Sequence, residues 1–261
     1  MPNFVAVSRG QHAGKAWRRA NSYAFAAREA IAPLAGAEFG KAAVAMPIAF
    51  IAQAGGYLPV ALMSPLAGRN FFTGPTGQWL GGYVPAVLRG YPFRLIRAEG
   101  AENSTLCIDE DSGLVVDADG TAENFFDADG NPSPATKAVL DFLAEIERNR
   151  ALTDLAVAAL AEAGAMQPWP FQVTADGQAA PVEGLFRIDE AALNALDDAA
   201  FLGLRKAAAL PLAYMQLLSM AQVAVFEQMN RLQQQLAPRQ EQQLSLDEIF
   251  ATADSGILRF N

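Results

Sequence analysis

The spacing of hydrophobic positions in the N-terminal part of the chain predicts strands. Short apolar runs lie at residues 44–53, 57–64, 93–98 and 105–109, and glycine, proline and asparagine separate them. Short apolar runs bounded by turn residues are typical of β-strands. No ten-residue helical pattern separates one run from the next, which disfavours parallel βαβ units and favours an antiparallel meander.

Two weaker elements are predicted between these strands. Residues 21–31 have the composition of a short helix with a polar cap at its start. Residues 70–72 and 79–83 flank the segment 73–77, which holds two glycines and a proline. This arrangement indicates a β-hairpin.

Helical spacing dominates from residue 133 onward. Ser133 followed by Pro134 is typical of a helix start, and apolar positions at helical spacing continue to Gly164. Residues 168–188 return to a strand pattern. Asp189 is then expected to begin a short helix.

A longer helix is predicted to begin at Asp197 or Asp198 and to reach Leu236, with Pro211 bending or dividing it. The patterns together predict an α+β fold, in which a mostly antiparallel sheet is packed by C-terminal helices. We expect residues 1–236 to form one domain.

The last 25 residues, 237–261, differ from the rest in composition. A glutamine-rich stretch is followed at Ser245 by a capping-box pattern, which predicts a short helix that includes Phe250. The final apolar stretch, residues 257–260, is a candidate strand. We therefore expect a C-terminal tail with a short helix and a terminal strand.

Charge is distributed unevenly over the 261 residues. The net charge is −9, but residues 1–100 carry ten basic and three acidic side chains, while residues 101–261 carry nine basic and twenty-five acidic ones. Most of the chain would repel phosphates, so nucleic-acid binding is not expected. One cysteine and one histidine exclude an intramolecular disulfide and a multi-histidine metal site.

Two long uncharged stretches are candidate membrane spans. Residues 42–68 are interrupted by prolines and glycines, and residues 207–226 contain Pro211 and several polar side chains. Polar groups are expensive in lipid, so the second stretch is predicted to be a core helix. No secretory signal pattern opens the sequence. We expect a cytoplasmic protein without stable membrane insertion.

The two most distinctive stretches are YVPAVLRGYPF at residues 83–93 and LCIDEDS at residues 106–112. Other characteristic stretches are YAFA (23–26), PVAL (59–62), FD with GNPSP (126–134), and LFRIDE with LNAL (185–196). Taken in chain order over roughly residues 20–232, these stretches resemble those of the SapC family of bacterial proteins.

The resemblance implies a genetic context for the protein and does not imply a particular reaction. The family is named from a surface-layer locus, and its members also occur in loci with TonB-dependent receptors and halogenase-like enzymes. This implies an accessory role in surface-layer assembly, uptake or modification. The resemblance supplies no catalytic residues to transfer to this chain.

Candidate binding residues cluster in the segment 79–97, where aromatic and arginine side chains alternate with apolar ones. Such residues anchor partners and recognise carboxylates. The candidates are Trp79, Tyr83, Arg89, Tyr91 and Arg94, with Phe250 and Phe260 as candidates in the tail. The alternative is that the aromatics pack the core and the arginines pair with acidic groups.

An acidic segment supplies candidates for other chemistry. Asp109 and Asp111 lie on one face of a predicted strand and could form a carboxylate pair for acid–base catalysis. Carboxylates at alternate positions of two Asp-Ala-Asp-Gly turns could bind a divalent cation, the one cofactor that the sequence suggests. These are Asp117, Asp119, Asp127 and Asp129. Neither turn completes a calcium-loop pattern, and solvated hairpin turns are the alternative.

Three functional hypotheses follow. The first is a non-catalytic binding or adaptor protein that acts on a protein or peptide partner and could form a homo-oligomer. The second is a carboxylate-dependent enzyme, with or without a divalent metal, in the segment 109–129. The third is a structural component of a cell-surface assembly.

Overall fold

The computed structural model describes residues 2–53, 55–98, 100, 103–175 and 178–237. Thirteen strands and eight helices occur in the described residues. In chain order they are β1 (Phe4–Ala6), α1 (Arg9–His12), β2 (Lys15–Trp17), β3 (Ile31–Pro33), α2 (Phe39–Ala42), β4 (Ile48–Gln53), β5 (Gly56–Leu62), α3 (Ala86–Arg89), β6 (Phe93–Ile96), β7 (Thr105–Asp109), β8 (Val115–Asp117), β9 (Glu123–Asn124), α4 (Pro134–Glu162), β10 (Met166–Pro168), β11 (Phe171–Ala175), β12 (Gln178–Val182), β13 (Leu185–Ile188), α5 (Glu190–Asn194), α6 (Asp198–Lys206), α7 (Ala209–Ser219) and α8 (Val225–Leu236).

The described strands form antiparallel sheets, which confirms the predicted α+β class. The largest sheet has the order β10-β13-β4-β5-β3 and combines N-terminal strands with C-terminal ones. A three-stranded sheet has the order β1-β7-β6, with β7 in the centre. Another has the order β8-β2-β9, and β11 pairs with β12.

Helix α4 connects two hydrophobic cores. It begins as predicted, because the Ser133 hydroxyl accepts a hydrogen bond from the Thr136 amide and Pro134 occupies the first turn. At about 1.5 Å per residue, its 29 residues span roughly 44 Å. Leu143, near its N-terminal end, packs into the smaller core with Trp17, Phe93, Ile108 and Phe125. Its C-terminal half packs into the main core beside the five-stranded sheet through Ala156, Val157 and Leu160.

Polar side chains of α7 bond to the backbone of the large sheet. The fully buried Gln216 side chain accepts a hydrogen bond from the Ile188 amide at 2.9 Å and donates one to the Ile48 carbonyl at 3.1 Å. The Ser219 hydroxyl accepts a hydrogen bond from the Ile48 amide at 2.9 Å. Buried backbone groups require partners, so these residues explain why polar positions interrupt the apolar run 207–226.

The predicted helix over residues 21–31 is wrong. The chain forms one short 3₁₀ turn, Ala24–Ala26, and then enters β3. The Ala30 carbonyl accepts the amide hydrogens of Met63 and Ser64, so pairing with the β5 segment outweighs the local helix propensity. The predicted hairpin over 70–83 is reduced to a single bridge between Thr73 and Trp79.

The long C-terminal helix is divided, but not at Pro211. The break lies at Ala208, which has a φ of 55°, a left-handed conformation that is uncommon for alanine. Pro211 is the third residue of α7, in the first turn, where its missing amide hydrogen removes no intrahelical bond. A 3₁₀ segment, Met220–Ala224, joins α7 to α8.

The helical run Ala209–Leu236 is the one stretch of the described chain that is long and apolar enough to cross a membrane by length and composition. Its best window has a mean hydropathy of 1.5, and 33% of that window is buried. A core helix of a soluble protein passes the same test, so the expected absence of membrane insertion stays a prediction. The predicted tail elements, including Phe250 and Phe260, lie outside the described residues.

We predict that Gln216→Leu destabilises the fold. The substitution keeps an apolar helix face but leaves the Ile188 amide and the Ile48 carbonyl without their side-chain partner. Each buried unpaired group costs about 1–3 kcal/mol of unfolding free energy, so the two together cost about 2–6 kcal/mol. Urea denaturation measures this cost, with Gln228→Leu on the exposed face of α8 as the control. Equal stability of the two variants would contradict the assigned role of Gln216.

Candidate functional site

A cleft of about 460 Å³ lies between the β1-β7-β6 sheet and strand β3. The turn Ala24–Ala26 and helix α3 complete its walls. Four residues that the sequence analysis selected line this cleft together: Tyr91, Arg94, Asp109 and Asp111. The pairing of β6 with β7 brings them together, because Arg94 lies opposite Cys107 and the YPF and IDED segments therefore end side by side.

Asp109 is a buried carboxylate whose two oxygens are both hydrogen-bonded. Its Oδ1 accepts the backbone amide hydrogens of Asn3 at 2.8 Å and Asp111 at 3.3 Å. Its Oδ2 accepts a hydrogen bond from the Tyr91 hydroxyl at 3.2 Å. Asp109 thus joins three segments: the residue before β1, the 3₁₀ turn after β7, and the loop before β6.

Tyr91 forms one aromatic wall of the cleft. Its ring stacks on that of Phe25, with 3.8 Å between the ring centroids and 11° between the planes. Burial, and then the charge and hydrogen bond of Asp109, raise the pKa of Tyr91 to about 12. Tyr91 therefore remains a neutral hydrogen-bond donor at physiological pH.

The rim of the cleft carries two carboxylates that have no partner among the described residues. Glu29 and Asp111 are exposed, and neither side chain has a hydrogen bond or ion pair within the described part of the chain. The Arg94 guanidinium lies over the Phe4 ring, 4.7 Å from its centroid. With Asp109, the cleft is lined by three carboxylates and one guanidinium.

Glu38 is a second buried carboxylate, and it is not among the candidates predicted from the sequence. Its oxygens accept hydrogen bonds from the Tyr83 hydroxyl at 2.8 Å, the Ala86 amide at 2.6 Å and the Ala35 amide at 3.0 Å. Burial, and then the hydrogen bond and charge of Glu38, raise the pKa of Tyr83 to about 12. A lone acidic residue in a long apolar stretch was the signal that could have identified Glu38.

The remaining candidates of the 79–97 segment lie outside the cleft. The Trp79 indole donates a hydrogen bond to the Tyr83 carbonyl at 2.8 Å, and its ring stacks near that of Phe72. The Arg89 guanidinium lies 5.9 Å from the Tyr83 ring centroid and 5.3 Å from that of Phe142. The first three candidates, Trp79, Tyr83 and Arg89, therefore contact neighbouring residues of the fold. The other two, Tyr91 and Arg94, face the cleft.

The acidic turns that were candidate metal ligands form hydrogen bonds within themselves. Asp119 accepts hydrogen bonds from the Thr121 hydroxyl and amide, which lower the pKa of Asp119. Asp127 accepts the amide hydrogens of Asp129 and Asn131. No group of three His, Cys, Asp or Glu side chains that could hold a metal ion occurs in the described ranges, which include Asp117.

His12 and Cys107 each have another hydrogen-bond partner. His12 is fully buried, and its Nε2 lies 2.9 Å from Oε1 of Glu110, a partner that the sequence analysis missed. The Cys107 sulfur lies 3.7 Å from the Thr105 carbonyl, and burial raises the pKa of the Cys107 thiol. An unactivated thiol of this kind is a small core residue.

The described residues form an α+β protein with a partly apolar cleft, and the buried carboxylate of Asp109 lies in the wall of that cleft. The family comparison is more specific. The model of the SapC family matches residues 7–225, and the chain belongs to this family. The comparisons with curated proteins and with solved structures each give no match.

We predict that two of the five tyrosines titrate late. Tyr83 and Tyr91 should ionise near pH 12, while a tyrosine in water ionises near pH 10. Because the folded-state pKa is raised, the stability that these hydroxyls contribute is present below pH 10 and is lost as the pH rises through 12.

Absorbance at the phenolate band during alkaline titration measures this effect. Tyr83→Phe and Tyr91→Phe should each remove one late-titrating group, and Tyr214→Phe, on the exposed face of α7, is the control. Titration of all five tyrosines in one step near pH 10 in the folded protein would contradict the assignment.

Proposed function

We propose that the chain is a non-catalytic binding protein that takes a protein or peptide partner in the cleft beside Tyr91. The observation that carries this proposal is the combination of apolar walls with two rim carboxylates, Glu29 and Asp111, that have no ion pair within the described ranges. A concave, mostly apolar site with a few convergent polar groups is the usual form of a binding site.

The charges favour a cationic side chain with an apolar stem as the ligand group. Lysine and arginine bury their methylene stems against apolar surface and keep the charged end near water. Phe25 and Tyr91 offer a flat wall for the stem, and Glu29 and Asp111 offer acceptors for the charged end. A basic residue flanked by apolar residues is therefore the expected recognition element of the partner.

The state of the polar groups supports binding rather than catalysis. Asp109 already accepts three of the about four hydrogen bonds that a carboxylate can accept, so most of its acceptor capacity serves to hold the fold. The pKa of Tyr91 is about 12, far from the range that suits a general acid or base at neutral pH. None of the described residues that line the cleft is a serine, cysteine, histidine or lysine.

Membership of the SapC family supports an accessory role for this binding. As part of the same proposal, the partner is a protein of a surface-layer, TonB-dependent uptake or halogenase-type locus. The proposal includes no metal and no redox cofactor, and the first test uses peptides alone.

We predict that the full chain, applied to an array of random decapeptides, enriches peptides in which lysine or arginine is flanked by apolar residues. The double substitution Glu29→Lys with Asp111→Lys should weaken binding of those peptides at least tenfold. Each replaced carboxylate removes an attraction and adds a repulsion of similar size, and ion pairs at exposed positions are worth about 0.2–1 kcal/mol each.

The control is Asp154→Lys with Glu162→Lys, which makes the same charge change at exposed positions of α4. Binding that falls equally in both double variants would mean that net charge, not the cleft, governs it. An array without enrichment of any basic motif would contradict the proposed function.

A further inference from the structure

A second groove, of about 470 Å³, runs along the edge of strand β6. The consecutive residues 94, 95, 96 and 97 all line it. Successive side chains of a strand point to opposite faces, so a groove that contacts four consecutive residues follows the strand edge. Leu143, Ile146, Glu147 and Arg150, on one face of α4, form the opposite wall.

Strand β6 is the edge strand of its sheet on this side, and no other described strand pairs with it there. The Asp109 amide donates a hydrogen bond to the Pro92 carbonyl, and the register continues with Arg94 opposite Cys107. Bonded positions alternate in an antiparallel pair, so the amide and carbonyl of Leu95 point away from β7 and toward the groove. Within the part of the chain that the structure describes, Leu95 has no other backbone partner.

The groove carries a surplus of positive charge. Arg94, Arg97 and Arg150 line it, and only Arg150 has an ion pair there, with Glu147 at 3.3 Å. The other carboxylate, Glu38, already accepts three hydrogen bonds. Among the described residues no ion pair involves Arg94 or Arg97.

We propose that this groove binds an extended acidic segment of a partner protein, which adds as a fourth strand to the β1-β7-β6 sheet. The partner's backbone pairs with Leu95, and its carboxylates reach Arg94 and Arg97. Strand addition supplies affinity through the main chain and specificity through alternate side chains. The backbone groups of Leu95 at the strand edge and the positive charge of Arg94 and Arg97 both favour an extended acidic segment as the ligand.

The groove continues into the Tyr91 cleft, since Pro33, Val87, Phe93 and Arg94 line both. One extended segment can therefore place acidic residues along β6 and a basic residue beside Glu29 and Asp111. The inference rests on the proposed function, because both sites serve the same partner. Arg97 lines only the groove and Asp111 only the cleft, so the two can be tested separately.

Charged side chains on an edge strand also protect it from unwanted pairing. On that alternative, Arg94 and Arg97 would repel any added strand rather than recruit one. Measured binding of a defined peptide decides between the two roles.

The test titrates the full chain with an eight-residue peptide in which valine alternates with glutamate. We expect saturable binding by fluorescence anisotropy. Methylation of alternate backbone nitrogens, which removes the main-chain donors, should weaken binding at least tenfold. We expect the same loss of binding when lysine replaces glutamate in the peptide. The protein variant Arg97→Glu should also bind the original peptide at least tenfold more weakly. The matched control is Arg205→Glu on α6, which should bind as the parent chain does.

Equal binding of the methylated peptide would overturn strand addition, and no binding of the valine–glutamate peptide would assign the arginines to edge protection. Binding that appears only after removal of residues 238–261 would assign the groove to the chain's own tail and overturn the proposed partner. Weaker binding of the valine–glutamate peptide to Arg97→Glu tests the groove. Weaker binding of the basic peptides to Glu29→Lys with Asp111→Lys tests the cleft.

Discussion

Two tyrosine hydroxyls that donate to buried carboxylates position the segment on which both candidate sites depend. Tyr83 bonds to Glu38 and Tyr91 bonds to Asp109, eight residues apart in the YVPAVLRGYPF stretch. Each carboxylate also accepts two backbone amide hydrogens. A buried charged group that lost these donors would cost several kcal/mol, so the network strongly favours one conformation of the segment.

The segment 83–93 is also constrained sterically, because it packs against α4 in addition to making these hydrogen bonds. A Cβ atom at Gly90 would lie 2.7 Å from a methyl carbon of Leu143, which is closer than real contacts allow. Glycine at this position therefore lets the loop lie directly on the helix. Leu143 also lines the groove beside β6, so one side chain contacts the loop and forms part of the groove wall.

The sequence was sufficient to predict the regular elements with strong local signals. The start of α4 at Pro134, the strands β6 and β7, and the α+β class follow from capping and hydrophobic spacing. The segment 21–31 was mispredicted because its alanine content favours a helix, while long-range pairing with β5 decides its structure. Such pairing leaves no local trace in the chain.

The site was only partly predictable for the same reason. Tyr91, Arg94, Asp109 and Asp111 were identified from their residue types and adjacency, and a strand pair brings them together. Glu29 and Glu38 lie more than 40 residues before the segment 79–97 in the sequence. The cleft walls formed by Phe4 and Phe25 depend on contacts between distant segments, which the spacing of residues along the chain does not reveal.

The most direct test of the account is amide hydrogen exchange across residues 83–93 in the full chain, compared with Glu38→Ala. We expect the Ala86 amide, which is protected by its bond to Glu38, to exchange at least 100-fold faster in the variant, while the β4–β5 pair keeps its protection. Unchanged protection of Ala86 would show that the buried carboxylate does not hold the segment, and would contradict the account.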